Sequence, residues 1–130
     1  MIRPFTRQDD HKLAHIPFFG TDFIYDDTNE DCTIVYQRSP RGLILGALDY
    51  WIERGGYGDI EILALGVRTK YRRKGIGREL VRYVEKIARN KKKSIVLSSV
   101  RGSMGFYKRL GYKDPYGVGY FNKRFKRRGR

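Results

Sequence analysis

One stretch constrains this chain more than any other: the hydrophobic rhythm changes across a basic segment that carries glycines. Ile60 to Val67 is an apolar run with the character of a strand. It is followed by Arg68-Thr69-Lys70-Tyr71-Arg72-Arg73-Lys74-Gly75-Ile76-Gly77. Ile76, Leu80, Tyr83, Val84, Ile87 and Ala88 then recur at helical spacing, with Arg78, Arg82, Glu85, Lys86 and Arg89 on the opposite face. A strand therefore delivers a cationic loop to the start of a helix. The free N–H groups and positive end of a helix make such a junction an anion site. Gly75 and Gly77 allow a pyrophosphate to approach the backbone closely, and Arg72, Arg73 and Lys74 supply charge. Other phosphate motifs do not fit. The dinucleotide fingerprint needs glycine where Leu80 stands, and the Gly-Lys-Ser/Thr of a P-loop is absent.

The remaining elements follow from local patterns. Ile2 to Phe5 reads as a short strand, with Pro4 favouring an edge. Thr6 can cap a helix running to about His15, with Asp9 and Asp10 near its positive end and Pro17 stopping it. Asp26 to Asp31 reads as an acidic loop. Thr33 to Tyr36 and Leu43 to Glu53 read as a hairpin around the turn Ser39-Pro40-Arg41-Gly42, and Tyr57 to Val67 as the next strand. Ser94 to Val100 is a short apolar strand and Ser103 to Leu110 a short helix, with Gly111 placed to end it. Tyr112 and Tyr120 to Phe125 read as two closing strands. The expected fold is α/β, a mixed central sheet flanked by helices in the order β-α-β-β-β-α-β-α-β-β. One domain spans residues 1–125, and 126–130 is a basic tail.

Two motifs together give the chain a family resemblance. The loop matches Arg-x-x-Gly-x-Gly, and Phe106-Tyr107-Lys108-Arg109-Leu110-Gly111-Tyr112 looks like F-Y-x-x-x-G-[FY]. Both are signatures of the GNAT family of acetyl-CoA-dependent N-acetyltransferases, and the element order resembles that fold over nearly the whole chain. The resemblance implies direct transfer of acetyl from acetyl-CoA to a primary amine, with no acyl-enzyme and no metal. It implies that Arg72, Arg73, Lys74, Gly75, Ile76, Gly77 and Arg78 hold the pyrophosphate. The backbone of Leu65, Gly66 and Val67 would pair with the pantetheine arm, and a backbone N–H there would stabilise the oxyanion. Tyr107 would protonate the departing thiolate, since a phenol keeps its proton at neutral pH; the alternative is a ring packed in the core. The sequence departs from the family at Val100, where many relatives carry asparagine seven residues before the tyrosine.

The base is read from the strand. Period two places Glu61 on one face with Leu63, Leu65 and Val67, where a carboxylate would have a raised pKa suited to proton abstraction. Glu61 also lies at the distance from Arg72 at which some relatives carry a catalytic glutamate. A bulge in this strand would change that facing. Asp59 is the second choice, and an acceptor amine of low pKa needs no base at all.

Charge bears on partners. The net charge is +14; residues 68–93 hold twelve basic and two acidic side chains, and residues 121–130 hold six basic and none acidic. One cofactor needs few of these. The excess points to an acidic or nucleic-acid-associated acceptor, or is simply a basic surface. Alternatives to an ordinary amine acceptor are therefore an acceptor borne on nucleic acid, such as an aminoacyl-tRNA or a modified base, and a non-catalytic module that binds CoA or nucleic acid. Tyr120 to Arg128 alternates aromatics with cations, which suits either phosphate and base contacts or a closing strand with a solvated tail.

Other features exclude classes. Cys32 is the only cysteine, so no internal disulfide forms, and it reads as a buried apolar residue. His11 and His15 lack the third ligand of a metal site. No stretch reaches the ~20 apolar residues of a membrane span. The N-terminus does not read as a signal peptide, so a cytoplasmic location is expected. Trp51, Tyr50 and Tyr57 either line an acceptor groove or pack on the sheet. An open edge at Tyr120 to Phe125 leaves monomer and homodimer both open.

Overall fold

The computed structural model describes residues 1–13, 16, 33–53, 59–98 and 103–125. His15, the acidic 26–31 stretch, Cys32, Tyr57, Val100 and the 126–130 tail lie outside them, as does the side chain of His11. The strands are β1 (Ile2–Pro4), β2 (Thr33–Gln37), β3 (Ile44–Ile52), β4 (Ile60–Val67), β5 (Ile95–Ser98) and β6 (Tyr120–Lys123). The helices are α1 (Ile76–Lys91) and α2 (Met104–Arg109). The strands form one mixed sheet in the order β1-β2-β3-β4-β5-β6, antiparallel throughout except for β4 beside β5. That parallel pair is joined through α1, the element a parallel crossover requires.

Two apolar clusters cover the two faces. The larger packs α1 and α2 against the sheet through Leu48, Ile60, Ile62, Leu80, Val84, Leu97 and Phe121. The smaller gathers Phe5, Leu13, Ile16, Val35, Ile44 and Ala47 on the other face. Burying each such side chain stabilises the fold by about 1.5–3 kcal/mol.

Three sequence expectations change. The first helix is a 3-10 helix, Arg7–Leu13, and its expected end near His15 lies outside the described residues. At its start the Asp9 carboxylate folds back to accept from the Thr6 N–H at 2.9 Å and Thr6 Oγ1 at 3.1 Å. Arg3 grips the same carboxylate with two nitrogens at 2.7 and 2.8 Å. Secondly, only one closing strand forms among the described residues. Tyr112 is a buried side chain beyond α2, and Lys113 makes just a single bridge to Asn122.

The third change is Glu85, expected on the solvated face of α1 but fully buried. Its carboxylate accepts from Tyr112 Oη at 3.0 Å, Arg82 at 2.6 Å and Lys123 Nζ at 3.3 Å. Lys123 also donates to the Leu110 carbonyl at 2.7 Å. A charged residue sits among Val81, Val84 and Ala88 because cations and a phenol from three other places satisfy it.

Candidate active site

Strand β4 runs further than its parallel neighbour. Pairing with β5 covers only Ile60 to Ile62, and the last pair is Ile62 with Leu97. From Ala64 to Val67 the backbone is paired on the β3 side alone among the described residues. A free strand edge of this kind can hydrogen-bond an extended amide chain as a further strand would.

The β3–β4 register skips one residue. Asp49 faces Ala64, whereas Tyr50 faces Ile62, so Leu63 is the extra residue of a bulge. This corrects the facing expected for Glu61. Ile60 and Ile62 enter the larger cluster, Leu65 and Val67 pack against that same cluster, and Ala64 packs against the smaller one. Glu61 therefore faces away from Leu65 and Val67. It is half-buried and sits across from Trp51, which is 48% exposed. Tyr50, next to Trp51, instead points into the larger core.

At the far end of β4 the chain makes a 3-10 turn, Thr69–Tyr71, and enters α1. Gly75 adopts a left-handed conformation, φ 83°. Arg73 shares it at φ 63°, a strained choice for a non-glycine residue. Alternation of such conformations turns successive N–H groups toward one point. No side chain caps α1, and its first backbone bond is Glu79 N–H to the Gly75 carbonyl at 3.0 Å. The N–H groups of Ile76, Gly77 and Arg78 are thus left for a ligand.

These parts enclose a cleft of about 650 Å³. Leu65, Gly66 and Val67 line it from β4; Arg72, Arg73, Gly75, Ile76, Gly77 and Arg78 line it from the loop and α1. Lys74 is exposed and stands outside this lining. Tyr71, Ser103, Phe106 and Arg109, which the sequence patterns did not assign to the site, complete it. The last three recur every three residues along α2, a spacing that could have revealed them. A Cβ on Gly77 would stand 3.5 Å from the Phe106 ring, in ordinary contact, so α1 and α2 meet closely at this wall. The cleft fits a long ligand that has an anionic end at the loop and an amide-bearing arm along β4.

Tyr107 lies behind Phe106 and is 5% exposed. Its ring meets those of Phe106, Tyr112 and Phe121 at 5.0, 5.7 and 6.1 Å. Burial pushes its hydroxyl up to about 12. Tyr112 is raised further, by burial and then by the Glu85 carboxylate.

A carboxylate that the sequence reading did not single out lies opposite the bulge. Burial raises the pKa of Asp49, against a hydrogen bond from Thr33 Oγ1 at 3.1 Å and one from the Tyr50 N–H. The visible signal was a lone acid inside the apolar run Leu43 to Ile52. Asp59, just before β4, is half-buried. Among the described residues, no three His, Cys, Asp or Glu side chains cluster as a metal site, and no helix is long and apolar enough to cross a membrane.

Comparison with known proteins agrees with this architecture. The chain superimposes on Naa20 of Chaetomium thermophilum, solved with a bisubstrate analogue, at a TM-score of 0.76 and 22% identity, covering 98% of this chain and 87% of that one. An acetyltransferase of Trypanosoma brucei gives 0.67 at 25% identity over 88% and 92%. An aminoglycoside 6′-N-acetyltransferase complexed with coenzyme A gives 0.70 at 18% identity over 100% and 99%. No curated protein sequence matches significantly. The model of the acetyltransferase (GNAT) family matches residues 3–112. By fold and by this match over most of its length, the chain belongs to the GNAT acetyltransferase family.

Proposed function

We propose that this protein transfers acetyl from acetyl-CoA to a primary amine, on a protein or a small molecule, by direct attack on the thioester. The observation that carries this reading is the cleft, which joins an uncapped helix start to a strand edge that, among the described residues, is unpaired beyond Ile62. The N–H groups of Ile76, Gly77 and Arg78, with the charges of Arg72, Arg73 and Arg78, hold the pyrophosphate, and Lys74 adds to the field. The backbone of Leu65, Gly66 and Val67 pairs with the pantetheine arm. Acetyl-CoA supplies the activated acyl group. A backbone N–H beside the bulge steadies the negative charge that develops on the thioester oxygen.

Tyr107, whose ring is buried behind Phe106 and does not line the cleft, acts on the leaving sulfur through its hydroxyl alone. With a pKa pushed up to about 12, its hydroxyl is protonated at any physiological pH. The same shift makes it a weak acid, so it donates a hydrogen bond to the departing thiolate more readily than it gives up the proton. Glu61 takes the proton of the incoming amine, with Asp59 as the second choice. Glu61 faces away from the cofactor side of the strand, so the amine arrives from the sheet face that carries Trp51.

The test is incubation of the pure protein with radiolabelled acetyl-CoA and a crude lysate, with acetyl-CoA affinity measured alongside. Label in protein or small-molecule fractions is the expected result. Label removed by nuclease would move the acceptor onto nucleic acid. Binding without label in any fraction would mark a non-catalytic module, and absence of acetyl-CoA binding would overturn the assignment of the cleft.

A further inference from the structure

A second concavity, of about 430 Å³, gathers Lys12, Arg38, Arg41 and Arg68 over Ile44. Ile44 belongs to the smaller cluster and Lys12 to the 3-10 helix that packs there, so this hollow opens away from α1. Arg38 stacks on the Tyr71 ring at 5.0 Å and donates to its hydroxyl. Tyr71 lines the cofactor cleft, so the Arg38–Tyr71 stack is the wall between the two hollows.

The cations are held in place. Gln37 Nε2 donates to the Gly42 carbonyl at 2.8 Å and the Gly42 N–H to Ser39 at 2.9 Å, bracing the turn that carries Arg38 and Arg41. Arg68 Nε donates to the Ile44 carbonyl at 2.7 Å, which orients its guanidinium and leaves the terminal nitrogens over. Lys12 pairs loosely with Asp9, at 4.0 Å, a carboxylate that Arg3 grips more closely at 2.7 Å. No carboxylate lines the hollow among the described residues. Like charges gathered this closely repel one another unless an anion joins them.

We propose that this pocket binds backbone phosphate of a single-stranded RNA while the cleft on the other side holds acetyl-CoA. Three planar guanidinium groups match phosphate oxygens, and guanidinium planes also stack on splayed bases. A concave site admits an unpaired nucleotide rather than a duplex edge. The net charge of +14 supplies the long-range attraction. The inference does not depend on acetyl transfer, because binding is read directly.

The experiment is fluorescence anisotropy of a labelled oligouridylate with the full chain, over a salt series, with and without saturating acetyl-CoA. Wild type should bind equally well in both cases. Each phosphate contact contributes about 0.7 to the slope of log affinity against log salt, so Lys12→Ala/Arg41→Ala should lower that slope by about 1.4. Both side chains are exposed, and acetyl-CoA affinity in this variant should stay within about twofold of wild type. Lys86→Ala/Lys91→Ala, on the outer face of α1, should leave the slope unchanged. The proposal is overturned by absent RNA binding, by displacement of RNA by acetyl-CoA, or by equal slope losses in the two variants. It is also overturned if a polyglutamate peptide binds as tightly with the same sensitivity, which would assign the surface to an acidic protein.

Discussion

The two faces of the sheet are held by different means. Under α1 and α2 lies a broad apolar cluster whose helix stripe and strand residues are enough to define the packing. The face that carries the 3-10 helix has only a small cluster, and its helix is fixed by Arg3 and Thr6 converging on one buried carboxylate. A large apolar face orients its helices by burial alone, whereas a small one needs directional polar contacts. The cofactor cleft stands on the first face, and the expected route of the amine crosses the second. The side proposed to bind the donor is thus packed by a broad apolar cluster, and the side proposed to meet the acceptor rests on a few charged bonds.

The comparison breaks most sharply at Glu85, the exception on the apolar face. Glu85→Gln leaves Lys123 and Arg82 without their anion, and urea unfolding should show a loss of about 3 kcal/mol. A loss under 1 kcal/mol would mean that burial alone holds α1. Tyr107→Phe should lower kcat about 100-fold, equivalent to about 2.7 kcal/mol, with KM for acetyl-CoA unchanged. An unchanged kcat would make Tyr107 a packing residue of the same face as Phe121.

On the other face, Asp9→Asn should cost about 1–2 kcal/mol at neutral pH. Burial works to raise the Asp9 carboxyl, but the bonds from Arg3 and Thr6 outweigh it and bring the pKa from 3.8 to about 2. A folded-state pKa below the unfolded value gives stability that is present above about pH 4 and is lost as pH falls through about 2. Wild type should therefore lose this increment between those limits, and the variant should show no such loss in an acid titration followed by circular dichroism. The smallest effect is at Gly75→Ala. Its left-handed backbone should cost about 1 kcal/mol in stability, while the open space around the new methyl group leaves packing intact. A much larger loss would show that the loop, and not the core beneath it, anchors α1.

Legibility followed interaction range. Strand β4, the turn at residues 39–42, helix α1 and the glycine after α2 were all readable, because each depends on neighbours within a few residues. The nine cleft-lining residues expected from β4, the loop and α1 were readable for the same reason: one strand-loop-helix segment carries them. Lys74 was assigned by charge alone, and its neighbours, not Lys74 itself, turn toward the cleft. Phe106 and Tyr107 are adjacent in sequence, yet α2 sends one ring to the cleft and the other into the core.

What the sequence by itself determined is the order of the elements as far as α2, the basic glycine-bearing junction between β4 and α1, and the family to which the chain belongs, since these are written in local periodicity and in short contiguous motifs. Only the tertiary structure decided the facing of Glu61, the full burial of Glu85, the half-burial of Asp49, and the gathering of Lys12, Arg38, Arg41 and Arg68. The physical reason is the same in each case. A bulge is set by the register of a neighbouring strand, and a buried charge is tolerated only where distant partners arrive to satisfy it. A pocket of like charges exists only once separate strands and a helix have been brought side by side.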